Sequence, residues 1–262
     1  MPLALWPYHP GVLNRIFALL ALSAAPALCG VITFYDGTAQ AVTPNNFSPK
    51  YLEYAAIGGT QTYSGADLAT NFTATVQGGY ASNLLNPDFP ILNRSAGYTL
   101  SFTVEILSES HSNANRAGFS VIAVSSDVGG GVLSSIELGF QDGLIFAQSS
   151  SPLFTAAEST AFDPVGVGFV AYDLAIFGSG YELFANGSSI LSGSLRDYSA
   201  FAGFPDPYET PNFVFFGDDT TSAEAEINLR RVALTTPVPE PATWTLLALG
   251  LVGLIRRQRR KS

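Results

Sequence analysis

Acidic residues offer the most direct route to catalysis in this chain, because two carboxylates held close together can cleave a glycosidic bond. On a β-strand, i and i+2 spacing places both side chains on one face. Glu224 and Glu226 have this spacing, but their neighbours are alanines rather than the aromatic and polar residues of a sugar cleft. Glu105, Glu137 and Glu182 each stand alone in their segments. Since neither histidine is placed as a general base and no Gly-x-Ser-x-Gly motif is present, we expect that the chain is not an enzyme.

Calcium is the cofactor for which the sequence offers candidate ligands. Asp218 and Asp219 lie together in a turn-like segment, and calcium takes its oxygen ligands from loops. The segment matches no EF-hand, so the alternative is that both carboxylates are simply solvated. With His9 and His111 as the only histidines, a His-rich zinc site is excluded. We therefore expect no cofactor other than calcium.

An aromatic and polar segment at 196–209 is the candidate ligand-binding region. Arg196, Tyr198, Asp206 and Tyr208 combine rings with hydrogen-bonding groups, as a saccharide site requires. The alternative is that the rings pack beneath their own loop.

The C-terminal segment combines three features in order. Pro239, Glu240 and Pro241 come first. An uncharged apolar run follows, whose bulky members are Trp244, Leu246, Leu247, Leu249, Leu251, Val252, Leu254 and Ile255. A basic cluster then precedes the last residue, with Arg256, Arg257, Arg259, Arg260 and Lys261.

These three parts closely resemble the PEP-CTERM sorting signal of Gram-negative bacteria, over residues 237–262. The resemblance implies that an exosortase, a membrane cysteine transpeptidase, recognises the segment and that the protein is processed near the motif. Proteins with this tail tend to occur with exopolysaccharide and biofilm systems, and some of them are described as ice-binding.

The physical properties of the segment agree with this resemblance. The prolines hold Glu240 in an extended conformation, which a transpeptidase cleft can bind. The run of twelve residues from Trp244 to Ile255 predicts a transmembrane helix that rises only about 18 Å, short of the roughly 30 Å hydrocarbon core. Because basic residues stay in the cytoplasm, the acidic body would lie outside. We predict export through the inner membrane, a transient anchor, and a final location at the cell surface or in the extracellular matrix.

The N-terminus predicts a secretory signal peptide. Arg15 precedes an apolar stretch, and Ala27 and Cys29 suit the −3 and −1 positions of a cleavage site. A lipoprotein, with Cys29 lipidated, is the weaker alternative because Leu28 is bulky. The predicted organisation is a signal peptide at 1–29, a body at 30–236 and a sorting and anchor segment at 237–262.

The body reads as a series of short strands. Tyr98 to Ile106 alternates apolar and polar residues, as a half-buried antiparallel strand does. Asp142-Gly143 and Asn186-Gly187 each separate two apolar runs, which is a hairpin signal. Further strands are predicted at 119–124, 135–140, 144–147, 167–177, 212–216 and 226–234, whereas 36–50, 58–71 and 78–97 are looser and suit edge strands or loops.

These elements predict an all-β protein, an antiparallel jelly-roll-like β-sandwich with its core at about 98–234. Tyr181, Leu183, Asn186, Gly187 and Gly193 resemble the Tyr-x-Leu-x-x-Asn-Gly hairpin of concanavalin A-like and laminin-G folds. Related folds often bind carbohydrate at a concave face, sometimes with calcium.

The excess of acidic residues in the body limits which partners it can bind. Residues 30–236 contain six basic and twenty acidic residues, which argues against nucleic acid as a partner. We predict a non-catalytic surface or matrix protein, sorted by an exosortase, anchored through the membrane helix and able to bind exopolysaccharide. The alternatives are a secreted carbohydrate-active enzyme and an ice-binding protein, although the short Thr73-Ala-Thr75 and Thr99 to Thr103 patterns do not make an array.

Overall fold

The body folds as a sandwich of two antiparallel sheets. The computed structural model describes residues 29–38, 51–56, 58–74, 77–204 and 206–237, and all regular secondary structure in these ranges is β-strand. The strands are β1 Cys29–Asp36, β2 Leu52–Ala56, β3 Gly59–Ser64, β4 Ala69–Ala74, β5 Gly78–Ser82, β6 Tyr98–His111, β7 Phe119–Val124, β8 Ser135–Gln141, β9 Leu144–Ser150, β10 Leu153–Ala161, β11 Val170–Phe177, β12 Gly180–Ala185, β13 Ser188–Ser194, β14 Phe213–Asp218 and β15 Ala223–Pro237.

The chain crosses repeatedly between the two sheets. The first sheet has the order β13-β12-β11-β6-β15-β4-β3, with β1 also paired to β15. The second has the order β10-β9-β8-β7-β14-β5-β2. Neighbours along both paths run antiparallel. The predicted all-β, jelly-roll-like sandwich is therefore confirmed.

Strand β6 shows how alternation builds the core. Tyr98, Leu100, Phe102, Val104 and Ile106 are buried, while the residues between them are half-buried on the outer face. The Phe102 ring stacks on Tyr172 of β11, with ring centroids 5.1 Å apart, and meets Phe216 of β14 edge-on at 5.5 Å. Rings from both sheets thus interdigitate, and their burial supplies the main driving force for folding.

Both predicted hairpin turns are present, with different backbone geometry. Asn186 and Gly187 have φ values of 48° and 79°, so both occupy the left-handed region that a type I′ turn demands. At Asp142-Gly143, only the glycine has a positive φ, of 74°. The Asn-Gly turn fixes the register of β12 against β13 and places Phe184 on the outer face of the first sheet.

The second sheet is covered on both faces. Every residue of β7 and β8 is buried, whereas a sheet with one solvated face would alternate. A second apolar cluster accounts for this burial: Ile122, Val124, Tyr198, Tyr208 and Phe215 lie in it, with Phe154 and Phe201 packed against them. The segment at 196–211 therefore lies over the outer face of the second sheet, where it forms one wall of the cavity described next.

Candidate functional site

A cavity of about 850 Å³ lies on the outer face of the second sheet; we call it the outer-face cavity. Its apolar wall includes Ile122, Phe154, Phe201, Tyr208, Phe213 and Phe215. Its polar lining includes Arg116, Asp206, Thr210, Asp218, Asp219 and Thr220. A concave surface that combines apolar and aromatic side chains with a few convergent polar groups is the usual form of a small-molecule or saccharide site.

Packed rings hold the wall of the cavity in place. Tyr208 lies 4.7 Å from Tyr198 and 5.4 Å from Phe201, measured between ring centroids. Phe154, which follows the start of β10, stacks on Tyr198 at 5.9 Å. The guanidinium of Arg116 lies 4.5 Å from the centre of the Phe154 ring, a cation–π contact. Because each of these four rings contacts at least one of the others, the part of the cavity wall that they form is largely preformed.

A buried carboxyl lies behind this wall. Glu137 projects from β8 with none of its surface exposed, and the Tyr208 hydroxyl donates a hydrogen bond to its Oε2. Arg116 Nη1 is 3.9 Å from Oε1, which makes no hydrogen bond within the described residues. Burial, followed by the charge of Asp219, raises the pKa of Glu137 well above its ordinary value, although Tyr208 and Arg116 oppose the shift. The buried site therefore favours the protonated form of Glu137 more than water does.

Asp218 is a second buried carboxyl at the same end of the cavity. Its Oδ1 accepts a hydrogen bond from the Thr220 backbone N–H at 2.9 Å. Burial, with the nearby charges of Asp219, Glu224 and Glu109, raises its pKa to about 8, against the pull of the Thr220 N–H. Asp218 is therefore largely protonated near neutral pH.

Replacing Asp218 with asparagine should make the stability of the protein less sensitive to pH. The folded state holds the Asp218 proton more tightly than the unfolded state, so this stabilisation is full below about pH 4 and is lost as the pH rises towards 8. Relative to Asp218→Asn, the wild type should lose about 2 kcal/mol of unfolding free energy between pH 5 and 8, after allowance for solvent screening. Urea denaturation at several pH values measures this. The exposed Asp142→Asn serves as control, and parallel curves for Asp218→Asn and wild type would contradict the assignment.

The structure places the two predicted calcium ligands differently. Asp218 is buried and protonated, while Asp219 is half-buried and lines the cavity; its backbone carbonyl accepts a hydrogen bond from Gln77 Nε2 at 3.1 Å. Within the described residues, no group of three or more His, Cys, Asp or Glu side chains could hold a metal ion. Calcium at this position stays a prediction.

The four predicted ligand-binding residues do not form one site. Asp206 lines the cavity, where its Oδ1 accepts a hydrogen bond from the Tyr208 backbone N–H at 2.9 Å. Tyr208 also lines it, although only 4% of its surface is exposed. Tyr198 lies beneath the loop, 1% exposed, and donates its hydroxyl proton to the Gln148 carbonyl. Arg196 is absent from the lining and instead pairs with Glu158 of β10. Tyr198 therefore packs beneath its own loop, which was the alternative to ligand binding.

Arg116, Phe154 and Glu137 are the site residues that sequence reasoning missed or dismissed, whereas Asp219 was predicted as a calcium ligand. Phe154 belongs to β10, a strand with no apolar alternation, and its positive φ of 57° redirects the chain there. Glu137 stood as an isolated acid in an apolar run. The signal that could have found it is its position, because an acid in a strand of otherwise buried residues must have partners.

The threonines considered for ice binding are not contiguous. Thr73 on β4 and Thr99 to Thr103 on β6 are separated by β15, which places Glu226 opposite Thr73 and carries Asn228 beside it. Asn228 donates a hydrogen bond to Glu105, and Asn71 donates to both Asn228 and Glu226. Amides and carboxylates therefore interrupt the hydroxyl rows.

The terminal predictions lie outside the described residues. These are the signal peptide, except for Cys29, and the residues of the sorting motif, membrane anchor and basic cluster. In the part of the chain that the structure describes, no helix has the length and apolar character needed to span a membrane.

Comparison with known proteins identifies the C-terminal segment. The sequence profile of the PEP-CTERM protein-sorting motif matches residues 237–261, so the predicted signal is confirmed. This motif marks an exported protein that is transiently anchored in the membrane and processed by an exosortase. No curated protein sequence shows significant similarity to the chain.

Solved structures with the same architecture come from several kinds of protein. A carbohydrate esterase from the Shiga toxin-encoding bacteriophage phi24B is 12% identical, with a TM-score of 0.54 over 80% of this chain and 100% of the other. Alginate lyase A1-II′, of polysaccharide lyase family 7, is 12% identical with a TM-score of 0.47, over 81% and 96% of the two chains. A Bacillus subtilis protein with a galectin-like fold is 10% identical with a TM-score of 0.44, over 80% and 100%.

These neighbours correct one prediction. Our expectation that the chain is not an enzyme is wrong, because its sandwich is also found in a carbohydrate esterase. At 12% identity the likeness establishes the fold, and the reaction of the esterase remains a property of that protein. The argument from unpaired carboxylates, on which that expectation depended, also failed for a physical reason. We judged carboxylates strand by strand, whereas the fold brings Asp219, which follows β14, close enough for its charge to raise the pKa of Glu137 on β8.

Proposed function

We propose that this exported protein is a component of the cell surface or extracellular matrix, and that its sandwich binds a polysaccharide in the outer-face cavity. In this proposal, residues 1–29 are a signal peptide, 30–236 form the binding body, and 237–262 are removed after transient anchoring. The bound polymer would be an exopolysaccharide of the producing cell.

The observation that carries this proposal is the composition of the cavity wall. Saccharide rings have apolar faces and polar edges, so their sites combine aromatic side chains with a few oriented hydrogen-bonding groups. Phe201, Tyr208 and Phe215 supply the rings, while Asp206 and Asp219 supply carboxylates that can accept hydrogen bonds from sugar hydroxyls. A volume of about 850 Å³ admits several sugar units.

The charge of the cavity favours a neutral polymer. Of the described residues that line it, Arg116 alone is a basic residue, and its Nη1 lies 3.9 Å from the Glu137 carboxyl. The body as a whole has fourteen more acidic than basic residues, twenty against six. A uronate polymer would be repelled by this field, while a neutral glucan would not.

Filling the cavity should weaken polysaccharide binding strongly. Ala81 on β5 lines the cavity, and a tryptophan there would occupy the space proposed for a sugar ring. In affinity electrophoresis through hydroxyethyl cellulose, a soluble neutral glucan, the polymer should slow the migration of the wild-type protein. The retardation of Ala81→Trp, measured against a polymer-free gel, should be at least tenfold smaller. Ala161→Trp, at an exposed site on β10, is the matched control. Equal retardation of wild type and Ala81→Trp would remove the cavity from the proposal.

A second candidate function is cleavage of the bound polysaccharide, favoured by Asp219 in the cavity lining and the buried Glu137 behind it. A carboxyl whose pKa is raised can hold and return a proton during bond cleavage. The charge of Asp219 helps to raise the pKa of Glu137, which couples the two carboxyls. They would therefore act as one proton-holding unit, with Asp219 facing the cavity and Glu137 behind it.

Release of reducing ends tests this second candidate. If wild-type protein depolymerises hydroxyethyl cellulose, Asp219→Asn and Glu137→Gln should each lower the rate by about 100-fold or more, since general acid–base groups contribute that much. Asp206→Asn, which alters a cavity carboxylate away from the pair, should retain most of the rate. Binding without any release of reducing ends would dismiss cleavage and leave the binding proposal intact.

A further inference from the structure

The outer face of the first sheet carries a shallow depression of about 390 Å³, which we call the first-sheet groove. It lies on the opposite side of the sandwich from the outer-face cavity. Its lining comes from β6, β11, β12, the β12–β13 turn and β15, and includes Thr99, Ser101, Asp173, Ala175, Phe184 and Thr235.

Strand register explains why a depression forms there. On the outer face, Asp173 is paired with Ser101 on one side and Phe184 on the other. The next outward position of β11 is Ala175, paired with Thr99, which in turn pairs with Thr235. Because alanine is small, it forms a floor between a phenyl ring and two threonine hydroxyls.

The polar groups of the groove leave acceptor capacity towards solvent. The Ser101 hydroxyl donates to Asp173 Oδ1 at 2.5 Å, which holds the carboxylate in one orientation. Among the described residues, the structure records no further hydrogen bond of the Asp173 side chain. Its Oδ2 can therefore accept hydrogen bonds from neighbouring hydroxyls of a ligand, as a carboxylate offers about four acceptor positions.

A second ring lies on the same face along β11. Phe177 is two residues beyond Ala175, so it also points outward, and 70% of its surface is exposed. Four strand residues place it about 13 Å from the position of Asp173. This sheet face thus has one phenyl ring beside Asp173, on β12, and a second at the end of β11, with Ala175 between Asp173 and Phe177 along that strand.

We infer that the first-sheet groove is a second saccharide site, which binds a stretch of neutral polysaccharide along β11. Phe184 stacks on the apolar face of one sugar unit, Asp173 accepts hydrogen bonds from its hydroxyls, and Thr99 and Thr235 contact the next unit. Phe177 supports the chain beyond it. A neutral polymer is required because Asp173 and Glu182 give this face a negative charge and no basic residue lines the groove among the described residues.

Two sites on opposite faces would let one molecule bridge two polymer chains. This consequence rests on the proposed function, whereas the groove itself does not. Bridging raises the apparent affinity through multivalency without any new contact. It would make the protein a cross-linker of the extracellular matrix.

Removal of the ring and the carboxylate separately tests the groove. In affinity electrophoresis with hydroxyethyl cellulose, Phe184→Ala and Asp173→Asn should each weaken binding by about tenfold, consistent with the loss of one good contact. Thr62→Ala, on the outer face of edge strand β3, is the control and should bind like wild type. Asp173→Asn keeps the size of the side chain, so its thermal unfolding temperature should match that of the wild type. This match would show that the variant has lost binding and not folding.

The two sites fail in distinguishable ways. If Ala81→Trp reduces binding while Phe184→Ala and Asp173→Asn match the wild type, the groove is overturned and the cavity stands. If the groove variants lose binding and Ala81→Trp does not, the groove stands without the cavity. Retention of alginate as tightly as of hydroxyethyl cellulose would contradict the neutral ligand class that the groove requires.

Discussion

Replacing Pro239, Glu240 and Pro241 with alanine should leave the C-terminal segment attached to the exported protein. The two prolines restrict the backbone on either side of Glu240 to extended conformations, which is the form that an enzyme cleft binds. Alanine would instead favour a helix in this segment, continuous with the helix predicted for the apolar run, since it has the highest helix propensity. Mass spectrometry should find a shortened C-terminus for the wild type in the outer fraction and an end at Ser262 for the variant in the membrane fraction.

The control for this experiment changes the same segment outside the motif. Thr243→Ala and Thr245→Ala together leave Pro239-Glu240-Pro241 and the chain length unaltered, so processing should proceed as in the wild type. The variant lacking the motif should also remain with the membrane fraction, because its apolar run and basic cluster are retained. Wild-type processing of the triple-alanine protein would contradict a role for the motif.

Local sequence signals predicted the fold where the chain carries strong alternation or strict turn chemistry. Strand β6 alternates over nine residues, and Asn186-Gly187 satisfies a turn that few other residue pairs tolerate. Strand β10 was missed, because it lies at a sheet edge and its Ala-, Ser- and Thr-rich sequence buries no apolar face. Strands β4 and β5 were expected at most as edges, yet each lies between two others. Their position depends on pairing with β15 and β14, far along the chain.

The site was less predictable than the fold, because it depends on contacts between distant segments. Tyr208 was chosen from its own loop, and the structure puts it at the cavity wall. Its partner Glu137 lies on β8, and Arg116 precedes β7. No short-range pattern relates these three residues. What sequence reasoning could have recognised is that β7 and β8 are too continuously apolar for a sheet with one solvated face.

The buried cluster around Glu137 gives the largest expected effect on stability. Glu137→Ala should lower the free energy of unfolding by about 3 kcal/mol or more, because it leaves a cavity and deprives the Tyr208 hydroxyl of its buried acceptor. Glu137→Gln should cost about 1 kcal/mol or less. Glutamine keeps the size of the side chain, and its amide oxygen can accept the hydrogen bond from Tyr208.

Urea denaturation of these variants, with Tyr208→Phe added, separates a structural network from independent contacts. If Glu137 and Tyr208 act through their mutual hydrogen bond, Tyr208→Phe should cost about 1–2 kcal/mol in the wild type and much less in the Glu137→Ala protein. Simple additivity of the two changes would contradict this coupling. Because Tyr208 is both the partner of Glu137 and a wall of the outer-face cavity, a loosened network should weaken polysaccharide binding in Glu137→Ala while Glu137→Gln still binds. The buried acid would then be retained because it holds the binding surface in shape, whatever chemistry its proton performs.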